Sequence, residues 1–86
     1  MDKLRILRKR LYNAMYNYMD FAKMSFITKS GEKVQLYDLS DEQLKALIRS
    51  SDERANGRRV AASICLRERK NIEEIKKEMQ KIRSNL

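Results

Sequence analysis

Two apolar rhythms alternate along this chain, and each change of rhythm marks a new element. From the N-terminus, Leu4, Leu7, Leu11, Ala14, Met15, Tyr18, Phe21 and Ala22 return every three or four positions. That spacing predicts an amphipathic helix over 3–24, with Asp2 as its cap and those eight residues as its buried face. Basic residues and tyrosines share the other side: Arg5, Lys9, Tyr12, Tyr16 and Lys23, flanked by Arg8 and Arg10.

The period then shortens to two. Phe26–Thr28 and Lys33–Tyr37 are β-favouring runs around Lys29-Ser30-Gly31-Glu32, which predicts a hairpin over 25–37. With Ser30-Gly31 as a two-residue loop, Lys29 faces Glu32 and Ile27 faces Val34. Ile27, Val34 and Leu36 then share the face that must pack on a helix.

Leu39-Ser40-Asp41-Glu42-Gln43-Leu44 follows. Ser40 and Gln43 make a capping box, with Leu39 and Leu44 as the hydrophobic staple around it. A short helix over 41–49 is therefore expected, burying Leu44, Leu47 and Ile48. Ser50 with Glu53 repeats the capping-box pattern, so the bend belongs near Arg49–Ser51, with Asn56-Gly57 as the alternative.

The last third reads as one long helix over 51–83. Ala61, Ile64, Cys65, Ile72, Ile75, Met79, Ile82 and Leu86 fall on one side of it. From Ile72 the spacing alternates three and four, a coiled-coil register of about two heptads, and Glu68 interrupts the stripe upstream. Arg59, Lys70, Lys77 and Lys81, with Arg67 on the flank, form a basic ridge opposite. Gly57 inside the helix costs on the order of 1 kcal/mol relative to alanine. Asn71 is a competing N-cap, but no glycine or proline marks a turn there, so the helix is expected to continue through it.

The fold class is therefore mainly α (α+β), a single small helical domain over 1–86. A continuous last helix would be about 50 Å long, against about 33 Å for the first. The stripe can be covered by the first helix lying antiparallel along it, or by a second chain. The expectation adopted is a homodimer with Ile72, Ile75, Met79 and Ile82 as the interface, because leaving them in water forfeits about 1.5–3 kcal/mol per side chain.

Composition narrows the function. Twenty Lys and Arg against twelve Asp and Glu leave a net charge of +8, which favours acidic partners. Residues 1–24 carry +4 and 52–71 carry +3, while 25–51 are neutral. One cysteine makes no internal disulfide framework and suits a cytoplasmic protein, with Cys65 as a small core residue. No apolar run is long enough for a membrane span. Without histidine, and with neighbouring carboxylates at helix starts, no metal site, cofactor site or catalytic constellation is expected. The chain reads as a non-enzyme with no small-molecule substrate.

The resulting expectation is a small basic regulatory protein that holds nucleic-acid backbone with little sequence specificity. Arg5, Arg8, Lys9, Arg10, Arg59, Arg67 and Lys70 are the expected phosphate contacts. The alternative is an adaptor or inhibitor, of the kind common among mobile-element products, that docks this basic surface on an acidic protein.

Overall fold

The computed structural model describes residues 2–28, 30–49 and 56–85. The elements run α1 (Lys3–Ala22), β1 (Ser25–Ile27), β2 (Lys33–Gln35), a 3₁₀ turn (Leu36–Asp38), α2 (Asp41–Arg49) and α3 (Asn56–Ser84). This is the mainly α architecture expected. The helix start at 51, the Ser50–Glu53 capping pattern, the Lys29–Glu32 pairing and Leu86 lie outside the described residues.

α1 begins where its cap predicts, with the Leu4 amide donating to Asp2 Oδ1 at 3.0 Å. It ends at Ala22, two residues before the expected boundary. There the Leu36 amide donates to the Met24 carbonyl at 3.0 Å and draws the chain into the hairpin.

The hairpin differs by one residue from the expected register. Phe26 pairs with Val34, Ile27 with Lys33 and Ser25 with Gln35. The cause is Gly31, whose φ of +85° makes it the left-handed last residue of a three-residue loop. The Thr28 amide donates to the Glu32 carbonyl at 2.8 Å, and the Gly31 amide to the Thr28 carbonyl at 2.9 Å. A two-residue loop would also need Ser30 at positive φ, which only glycine adopts cheaply. The slip exchanges faces: Phe26 packs on the core, while Ile27 points to solvent. Leu36 reaches the core through the 3₁₀ turn and not as a strand residue.

α2 has the expected bounds. The Ser40 amide donates to Gln43 Oε1 at 2.8 Å and the Gln43 amide to Ser40 Oγ at 3.1 Å, completing the capping box. Leu39 and Leu44 meet in the same core cluster, with Leu47 and Ile48 packed against it.

α3 starts, within the described residues, at Asn56 and runs unbroken through Asn71. Its 29 residues set the long axis of a rod measuring 51 × 20 × 19 Å. Two core clusters lie along it. At one end Ala22, Leu36 and Leu44 pack on Ala61, Ala62 and Cys65. At the other, Leu4, Leu7, Leu11 and Ala14 pack on Ile72, Ile75, Met79 and Ile82. α1 therefore lies antiparallel on α3.

This geometry corrects the expected subunit interface. Ile75 is 2% and Met79 6% exposed within one chain, with Ile72 and Ile82 beside them. Twenty residues of α1 reach about 30 Å. That length matches the span from Ala61 to Ile82, so α1 shelters the seam and the hairpin and α2 are left to cover the start of α3. The argument for a dimer from an uncovered stripe lapses with it.

Cys65 is fully buried. Burial pushes its thiol pKa up, and the nearby Arg69 charge pulls it part of the way back. With the folded value above the unfolded one, the protonated thiol favours folding below about pH 8.5, and that contribution is lost as pH rises beyond it. Between about pH 8 and 10 the wild type should therefore lose more stability than Cys65→Ala, measured by urea unfolding at each pH. Equal losses would contradict the assignment. In the native state the thiol should also react with a chromogenic disulfide only as fast as the helices open.

Candidate nucleic-acid interface

The antiparallel pairing of α1 with α3 has an electrostatic consequence. Lys3, Arg5, Arg8, Lys9 and Arg10 stand on the first turns of α1, and Lys76, Lys77, Lys81 and Arg83 on the last turns of α3. The packing of Leu4 and Leu7 against Ile75, Met79 and Ile82 brings these two sets to the same end of the rod. Residues 2–10 and 76–85 hold nine basic side chains against two acidic ones, Asp2 and Glu78, a net +7 of the chain's +8. All nine are exposed. Of these nine, Lys77 pairs with Glu73, one turn towards the middle of the rod, at 3.5 Å. Both side chains there are solvated, so the pair neutralises little.

The expected contact residues divide into three groups. Arg5, Arg8, Lys9 and Arg10 belong to the basic end, where Arg10 also lines a polar groove between the helices with Asn13, Asn17, Glu68 and Asn71. Arg67 and Lys70 line the adjoining groove with the same Glu68 and Asn71, and with Glu74. The interruption expected at Glu68 is present: its side chain is buried, with Arg67 Nε at 3.4 Å. Arg59 stands apart, half-buried and already partnered. Arg67 and Lys70 lie about 10–21 Å along the axis from Lys77 and Lys81.

The expected contacts lack Lys3, Lys76, Lys77, Lys81 and Arg83, because nothing local says that the two termini of the fold meet. Sequence reasoning also missed Arg69. Arg69 is the polar tie of the fold. Its guanidinium donates to Asp41 Oδ1 at 2.8 Å, to Tyr18 Oη at 3.1 Å, and at 3.5 Å to the carbonyls of Leu36 and Tyr37. It also lies over the Tyr18 ring, 5.6 Å from its centre. Burial opposes its charge, and the hydrogen bonds with Asp41 and Tyr18 outweigh that, leaving its pKa raised. The signal was available: on the helical projection Arg69 falls among the apolar positions, unlike Arg67 and Lys70.

The tyrosines of α1 also separate. Tyr18 faces the core, whereas Tyr12 and Tyr16 are 64% and 72% exposed. Met15, expected on the buried face, stands outside with them, as does Met19. These four line one shallow, almost wholly apolar groove.

Among the described residues no group of three or more His, Cys, Asp or Glu is placed to hold a metal ion. Nor is any helix there long and apolar enough to cross a membrane. No protein-family model matches the chain, and no curated protein or solved structure is significantly similar to it.

Proposed function

We propose that this chain is a non-catalytic regulatory protein that grips nucleic-acid backbone with the basic end of the rod, with little sequence specificity. The observation that carries the reading is the concentration of +7 at one end, on nine exposed side chains.

Local energetics support it. Lys3 and Arg5 stand in the first turn of α1, where the helix dipole favours negative charge, beside the single carboxylate of Asp2 at the cap. Arg5 and Lys9 are like charges at i, i+4. Each arrangement costs a few tenths of a kcal/mol, which a surface that uses the charge would explain. At the other terminus Lys81 and Arg83 sit in the last turn of α3, where positive charge is favoured. Flexible lysine and arginine tips on helical faces suit phosphates better than base edges. One chain is sufficient for this reading, and a single cysteine is compatible with a reducing cytoplasm.

Fluorescence anisotropy with a labelled duplex and a labelled single strand, at several salt concentrations, tests the reading. If about five phosphates are neutralised, log K should fall against log salt with a slope of about −4 to −5 for duplex. Arg5→Glu with Lys9→Glu should reduce that slope by about two, while Arg67→Glu with Lys70→Glu should change it by less than one. A binding constant indifferent to salt, or to charge reversal at the basic end, would sink the proposal.

A further inference from the structure

α1 carries a second periodic face, rotated about a quarter turn from its core stripe. Arg5, Arg8, Tyr12, Met15, Met19 and Lys23 follow at spacings of three, four, three, four and four, with Tyr16 alongside Tyr12 and Met19. Every one of these side chains is exposed. The apolar groove of Tyr12, Met15, Tyr16 and Met19 continues towards the basic end. There it joins a depression between the helices, floored by Leu11 and Met79 and edged by Arg8 and Arg83. From Arg8 to Met19 this track is about 16 Å long, three helical turns.

We infer that this face docks an amphipathic helix of a partner protein, with apolar residues at three- and four-residue spacing and acidic residues on its flanks. Length and shape indicate a helix: three turns of apolar anchors fit the exposed face of α1, which opens at its basic end into the depression between α1 and α3, and a helix laid there would pack ridges into grooves. Two methionines at the centre supply an apolar surface that adapts to different anchors. Charge sets the sign of the partner. Arg5, Arg8 and Arg83 border one end and Lys23 the other. Asp20, near that second end, already pairs with Lys23 at 3.9 Å. Acidic flanks on the incoming helix complement this frame.

A second copy of the chain fits less well. It would set +8 against +8, and an antiparallel pairing of two α1 faces would bring Arg8 towards Lys23. Nucleic acid could stack on Tyr12 and Tyr16, but it would find its cations only at the rim and the thioethers of Met15 and Met19 along the rest of the track.

The test is a selection from a display library of random peptides of about 18 residues, five turns, against the immobilised full-length chain. Enriched peptides should carry apolar residues at i, i+3 or i+4 and i+7 with flanking Asp and Glu. They should bind Tyr16→Glu/Met19→Glu protein at least about 10-fold more weakly. Both positions are on the surface, so the variant should melt like the wild type. Arg8→Glu/Arg83→Glu serves as a second variant and should weaken the same peptides. Failure to enrich peptides, enrichment of basic or non-helical ones, or equal binding to both variants would overturn the inference. So would concentration-dependent dimerisation that Tyr16→Glu/Met19→Glu abolishes, or a single-stranded oligonucleotide that shifts the Met15 and Met19 methyl resonances. Loss of nucleic-acid binding in Arg5→Glu/Lys9→Glu would leave it untouched.

Discussion

Ile75→Asp should unfold the chain instead of dissociating an assembly. Ile75 is buried among Leu7, Ala14 and Met79, with Leu4, Leu11, Ile72 and Ile82 packed around them. The substitution forfeits about 1.5–3 kcal/mol of burial and places a carboxylate with no cationic partner in an apolar seam, which adds several more. The sum exceeds about 4 kcal/mol, comparable to the whole stability of a domain this size at roughly 0.05–0.15 kcal/mol per residue. Ile75→Ala, which only opens a cavity, should cost about 2–4 kcal/mol. Circular dichroism at 222 nm and sedimentation equilibrium read the two effects separately. A variant that keeps its helicity while its mass halves would show that the seam joins two chains.

Arg69→Ala should be the most damaging loss of a single polar side chain. Arg69 links α3 to α1 through Tyr18, to α2 through Asp41, and to the 3₁₀ turn through two carbonyls. Charge-assisted hydrogen bonds of this kind are worth about 1.5–3 kcal/mol when the partners are left unsatisfied. Its side chain is 22% exposed while that of Asp41 is 61% exposed, so water replaces part of what is lost on the Asp41 side. A net cost of about 2–4 kcal/mol follows, a fall of about 10–20 °C in melting temperature for a domain of this length. Arg69→Lys keeps the charge but not the planar fork, and should recover less than half of that loss. Asp41→Asn should cost clearly less than Arg69→Ala. If Arg69→Lys melts within about 2 °C of the wild type, the fork is not what ties these elements together.

The two variants probe features that were unequally visible beforehand. The apolar residues around Ile75 could be read from their spacing, but not what would cover them. Arg69 stood at an apolar position, yet nothing in its neighbours announced Tyr18, Asp41 or the Leu36 carbonyl, which lie 28 to 51 residues away. The candidate site shows the same division. Arg5, Arg8, Lys9 and Arg10 were legible as a basic run. Their union with Lys76, Lys77, Lys81 and Arg83 exists only because α1 turns back along α3. The three-four spacing puts Met15 on the core face, and the orientation of the helix on its partner leaves it outside.

What the amino-acid sequence determined by itself was local. The Ser40–Gln43 box set the start of α2, Asp2 set the start of α1, and the absence of breakers carried α3 through Asn71. Caps, helical periodicity and backbone permissiveness act over three to five residues, so the chain states them directly. The hairpin register was local too, set by Gly31 at positive φ in a longer loop than the two residues expected. Tertiary structure alone decided that α1 shelters Ile75 and Met79, that nearly all the net charge gathers at one end, and that Tyr12, Met15, Tyr16 and Met19 are left outside. Those outcomes depend on matching lengths and shapes between distant segments, a property of pairs of elements that no single stretch contains.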